Sequence, residues 1–100
     1  MATKQKKASK DYKAYLRETL ADPNEAAEYL NAALEEGDEN VFLLALRDVA
    51  EAHGIAKLAG QANLNRESTY KMLSEQGNPR LSSLWALLDS IGLRLSVESK

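Results

Sequence analysis

The chain has no cysteine and a single histidine, His53. Without thiols there is no disulfide framework and no cysteine zinc site. One imidazole cannot build a histidine metal cage or a serine-histidine-acid triad from within the chain. No oxygen-rich loop with calcium-binding spacing occurs either, so no metal or other cofactor is expected. No apolar run approaches the roughly 20 residues that a bilayer span requires, and the lysine-rich start is not followed by the apolar stretch of a signal peptide. The expectation is a soluble cytoplasmic protein with no membrane partner. The 100 residues, 44% of them hydrophobic and 28% charged, suit one compact domain, because a single core normally serves roughly 100 to 150 residues. With no catalytic constellation in view, a binding protein is expected and an enzyme is not.

The net charge of -2 conceals a segregation along the chain. Residues 1–17 carry six basic groups and one acidic, whereas residues 18–53 carry ten acidic groups against Arg47 alone. Residues 54–83 are basic again, with Lys57, Arg66, Lys71 and Arg80 against Glu67 and Glu75. Affinity for a polyanion follows the local field at the binding face rather than the sum over the molecule. A small basic element on an acidic body therefore remains compatible with nucleic-acid binding.

Residues 1–11 lack apolar periodicity and are expected to form a mobile basic arm, either a solubilising tail or a DNA-contacting one. Residues 12–100 form the single domain. Tyr15, Leu16, Thr19 and Leu20 give a short helical stripe that Asp22-Pro23 interrupts. A second helix follows, with proline at its first position, an apolar face of Ala26, Tyr29, Leu30, Ala33 and Leu34, and Gly37 as its left-handed cap. Asp38 is the N-cap of a third helix, in which Phe42, Ala45, Leu46, Val49 and Ala50 recur at helical spacing to about His53-Gly54. Leu43 and Leu44 widen its stripe, which predicts a central helix packed on both sides. After Asn78-Pro79, the residues Leu81, Leu84, Trp85, Leu88 and Ile91 mark one face of a last helix closed by Gly92. The run LRLSVES then alternates apolar and polar positions, the pattern of a short C-terminal β-strand. Tyr12, Tyr15, Tyr29, Phe42 and Trp85 are expected in the core or at an interface, and His53 as a helix-end residue bonded to backbone or water.

Residues 54–73, GIAKLAGQANLNRESTYKML, carry the functional signal. Ile55, Leu58, Ala59 and Ala62 are spaced to face inward on one short helix, and Asn63 accepts the left-handed conformation a bulky residue resists. Asn65 then caps a second helix whose Thr69, Met72 and Leu73 face the core. This is a helix-turn-helix pattern, and it leaves Arg66, Glu67, Tyr70 and Lys71 on the exposed face of the second helix, where a recognition helix meets the major groove. Arg66 suits a bidentate contact to guanine, and Glu67 suits an acceptor role toward cytosine or the orientation of Arg66. Lys71 and the Tyr70 hydroxyl suit phosphates. Asn65 and Lys57 are secondary candidates. The bland alternative is a packed helix pair whose outer residues are merely solvated.

The run Gly54, Leu58-Ala59, Asn63-Leu64, Arg66, Tyr70 and Leu73, with Gly77-Asn78-Pro79 and Ile91-Gly92-Leu93-Arg94-Leu95, resembles the addiction-module antidote proteins, HigA-like antitoxins with a Cro/repressor-type (Xre-like) helix-turn-helix. The stretches from Glu28 to Asp38 and from Ala45 to Ala50 resemble the same family, so the likeness covers about residues 12 to 97. Asn63 stands where a glycine is common at this turn, and Thr69 where a branched aliphatic residue is usual. The resemblance implies an all-α, lambda-repressor-like domain with extra N-terminal helices. It also implies a homodimeric repressor that binds an operator palindrome on double-stranded DNA, represses its own operon and neutralises a RelE/ParE-like toxin. The acidic segment around Glu35, Glu36 and Asp38 is then either a solvated surface or a docking surface for a cationic toxin. The alternatives are a phage-type regulator without a toxin and a protein-binding helical adaptor.

Overall fold

The computed structural model describes the backbone of residues 2–74 and 77–100 and the side chains of residues 11–74 and 77–100. Apart from Asp11, the side chains of the basic arm expected over residues 1–11 lie outside the described residues. Among the described residues the fold is all-α: α1 (Ala2–Leu20), α2 (Pro23–Glu35), α3 (Glu39–His53), α4 (Ile55–Gln61), α5 (Arg66–Met72) and α6 (Leu81–Ile91). No helix among them is long and apolar enough to cross a membrane.

The helix boundaries follow local chemistry. Asp22 is extended, as a residue before proline must be, and Pro23 opens α2 where its missing N–H has no helical partner to lose. The Asp38 carboxylate accepts the Asn40 N–H at 2.8 Å and so caps α3. Gly54, at φ +90°, separates α3 from α4 in a conformation that a Cβ would strain. Gly92, at φ +91°, ends α6. Its N–H donates to the Asp89 carbonyl at 3.0 Å, and the Leu93 N–H reaches back to the Leu88 carbonyl at 2.8 Å, which is a Schellman closure.

Packing places α3 at the centre, against α1, α2 and α4, with α6 closing on α4. Leu46, Val49 and Ala50 of α3 are fully buried, among Leu20, Leu30, Leu58 and Leu87 from the other helices and Leu73 just after α5. The buried stripe of α3 is narrower than expected, however: Leu43 is inside but Leu44 is 61% exposed. A polar tie joins α2 to α3, the Tyr29 hydroxyl donating to the Asp48 carboxylate at 2.6 Å. Burial, together with the Asp48 hydrogen bond and charge, raises the Tyr29 phenol above its ordinary value. A group whose folded pKa is raised adds stability that is complete below its unfolded pKa, about 10 for tyrosine. That contribution is lost at higher pH, because the unfolded chain gives up the proton first. Tyr29→Phe is expected to cost about 1 kcal/mol at neutral pH. Urea midpoints between pH 7 and pH 11 should converge for the wild type and the variant above about pH 10.

The C-terminal β-strand is not formed. Residues 93–100 are irregular, Leu93 packs on the core, and Leu95 and Val97 face outward. Alternation assigns side chains to two faces but supplies no hydrogen-bonding edge, and every element among the described residues is a helix. The face of α6 is also rotated from the expected one. Leu87, Leu88 and Ile91 are buried, Leu84 is half-buried, and Leu81 and Trp85 are turned outward. Because Leu87 adds an apolar residue on the far side of Leu84 and Leu88, α6 has two candidate core faces, and the three-dimensional fit with α4 selects the one containing Leu87. Tyr12, Tyr15 and Trp85 are thus surface residues, whereas Tyr29 and Phe42 pack against the core.

Candidate nucleic-acid interface

Ile55, Leu58 and Ala59 bury one face of α4, and the chain then reverses over residues 62–65. Asn63 sits at φ +57°, the described non-glycine residue with positive φ. Its N–H donates to the Gly60 carbonyl at 3.2 Å and the Leu64 N–H to the Ala59 carbonyl at 2.8 Å, so this turn repeats the closure seen at Gly92. A short polar side chain tolerates that conformation better than an alkyl one. Asn63→Ala is expected to cost about 1 kcal/mol and Asn63→Gly nothing; chemical denaturation of the two variants checks the order.

Asn65 is extended and its side-chain oxygen accepts the Ser68 N–H at 3.1 Å, which starts α5. Thr69 is buried, and its hydroxyl donates to the Asn65 carbonyl at 2.8 Å, so the polar atom enters the core already partnered. Met72 and Leu73 complete the buried face. The opposite face carries Arg66, Glu67, Tyr70 and Lys71, all exposed, as is Lys57 on α4. Positions four apart on a helix are neighbours, and the Arg66 guanidinium accordingly lies over the Tyr70 ring, 5.8 Å from its centroid. Glu67 does not orient Arg66: among the described residues the one ion pair is Arg47 with Glu51 at 4.0 Å.

Asn65 and Lys71 also face a groove of about 660 Å³ between α5 and the start of α6, shared with Ser68, Asn78, Arg80 and Ser83. Lys57, Arg66, Glu67 and Tyr70 lie outside it. Arg80 and Ser83 are further candidates, brought beside α5 by the fold, that the sequence did not single out. Arg80 is one of the four bases of residues 54–83, but nothing local says that the start of α6 folds back beside α5. Among the described residues the groove carries two bases, Lys71 and Arg80, and no carboxylate on its walls, a field that suits a phosphate backbone. His53 takes no part; its Nδ1 is 3.1 Å from the Val49 carbonyl at the end of α3.

Residues 10–99 match a family described as probable addiction module antidote protein. A similar chain is an uncharacterized protein of Haemophilus influenzae strain Rd, 33% identical over 81 residues, which are 81% of this chain and 84% of that one. No solved structure matches. The family match runs from α1 to the C-terminal segment and takes in both the acidic α2–α3 half and the α4–α5 pair. The chain therefore belongs to the probable addiction module antidote protein family.

Proposed function

We propose that the protein is the antidote of a toxin-antidote pair and a sequence-specific DNA-binding repressor of the operon encoding it, acting in the cytoplasm. The observation that carries the DNA-binding half is the division of α5. Thr69 and Met72 seal one face into the core, while Arg66, Glu67, Tyr70 and Lys71 line the other with groups suited to base edges and phosphates. On this reading α4 and α5 are a helix-turn-helix and α5 enters the major groove. Arg66 reads a base, and Glu67 faces the groove beside it. Lys71, Asn65 and Lys57 hold phosphates, with Arg80 extending that track along the adjoining groove.

A repressor of this kind acts as a homodimer, with recognition helices about 34 to 36 Å apart on a palindrome. Leu81 and Trp85, one helical turn apart and both exposed on α6, are the apolar surface that supports such a contact. The antidote half rests on the family and has a RelE/ParE-like toxin as its expected partner.

Fluorescence anisotropy against the protein's own upstream promoter and a scrambled duplex, at two salt concentrations, tests the DNA reading. The expected preference for the promoter is at least about a thousandfold. Weak, equal binding to both duplexes overturns it. Light scattering coupled to size exclusion tests the dimer, and a monomer at micromolar concentration removes it.

A further inference from the structure

We propose that the apolar groove between the end of α2, the start of α3 and residues 77–79 docks the toxin of the pair, through a cationic segment that inserts a bulky apolar side chain. The inference rests on the antidote reading above. The groove has a volume of about 410 Å³, and its floor is Leu34, Phe42, Leu43, Pro79 and Leu84. Leu34 is 55% exposed at the end of α2, and Phe42 and Leu84 are only half-buried. That volume holds one or two large side chains rather than a whole helix, so the partner contributes an anchor residue and not a domain face.

The lip selects the partner's charge. Asp38 and Glu39 line the groove, and among the described residues no lysine or arginine does. Glu35 and Glu36 immediately precede the turn and are exposed. Among the described residues none of these four carboxylates is in an ion pair. Four carboxylates within five positions repel each other and any polyanion, so nucleic acid and an anionic membrane surface are disfavoured there and a basic polypeptide is favoured. The neighbouring grooves differ. The one beside the exposed Leu44 has Arg47 in its wall, and the next carries Glu36 and Asp48 but is walled largely by the small residues Ala32, Ala33 and Ala45, with no floor for a bulky anchor like that of Phe42, Leu43 and Leu84. No residue of α5 lines the α2–α3 groove, so it can be altered without touching the proposed DNA face.

The test titrates the full chain with the product of the short open reading frame adjacent to its own, at low and moderate salt. Leu34→Gln and Glu39→Lys are expected to weaken the complex at least about tenfold each, with Glu39→Lys also flattening its salt dependence. Leu44→Gln, at the neighbouring groove, is expected to bind as the wild type does. Melting curves and promoter affinity of Leu34→Gln should match the wild type, which separates a lost contact from a lost fold. A complex that forms with the wild type and is unchanged in both groove variants overturns this site and leaves the antidote reading standing. If the wild type does not bind the neighbouring product at all, the site and the antidote reading fall together.

Discussion

Leu58→Ala is expected to lower the unfolding free energy by about 2 to 5 kcal/mol, a large share of the roughly 5 to 15 kcal/mol that keeps a domain of this size folded. Leu58 is 1% exposed and lies in the middle of α4, a seven-residue helix. A helix that short is unstable by itself in water. It persists because its apolar face fills the space between α3 and α6. Truncation leaves a cavity there in addition to removing buried methyl groups, and α5, which packs on α4, loses its support with it. The thermal midpoint should therefore fall by roughly 10 °C or more. Leu44→Ala is the matched control: the same change at a residue 61% exposed should stay within about 0.5 kcal/mol. Urea unfolding followed by circular dichroism compares the two. Equal losses would mean that α4 does not depend on the core contact assigned to it.

What was legible in the sequence, and what was not, divides by the range of the interaction. The breaks at Pro23, Gly37 and Gly54 are written in residues whose backbone limits act within one turn. So are the caps at Asp38 and Asn65 and the left-handed turn at Asn63. The same holds for the outward set on α5, because once Thr69, Met72 and Leu73 face inward the helical repeat leaves Arg66, Glu67, Tyr70 and Lys71 outside. Apart from the start of α1 at Ala2, inside the stretch expected to be an arm, the failures are tertiary. The alternation of residues 93–98 reads as a strand, but among the described residues there is no strand for it to join. Trp85 and Leu44 are apolar and correctly spaced, yet which side of a helix meets the core depends on the neighbour's shape, and both end up exposed. The Tyr29 to Asp48 hydrogen bond joins residues 19 apart, and Arg80 reaches the α5 groove only because α6 folds back. No local signal announces either contact.

On the proposed DNA face, Arg66→Ala is expected to cost about 1 to 3 kcal/mol on the operator and to relax preference at one base position. Lys71→Ala, by contrast, should weaken operator and random DNA alike and reduce the salt slope by about one. The difference arises because a planar guanidinium can match guanine bidentately, whereas an ammonium on phosphate acts as a point charge. Tyr70 refines the argument. Its ring lies under the Arg66 guanidinium at 5.8 Å, a contact worth about 0.5 to 1 kcal/mol at an exposed site. The ring thus limits the rotamers from which Arg66 reaches the groove. Tyr70→Phe keeps the ring and removes only the hydroxyl, so it should retain base preference if the ring's main role is to hold Arg66. Tyr70→Leu removes the ring and should lose part of the preference that Arg66→Ala abolishes, without changing the salt slope. Combined with Arg66→Ala, it should cost little more than Arg66→Ala alone, since the two residues act through one contact. Anisotropy titrations against the operator and single-base variants measure each term. Equal losses on operator and random DNA for Arg66→Ala would show a phosphate contact in place of a base reader, and additive losses for the double variant would separate Tyr70 from Arg66.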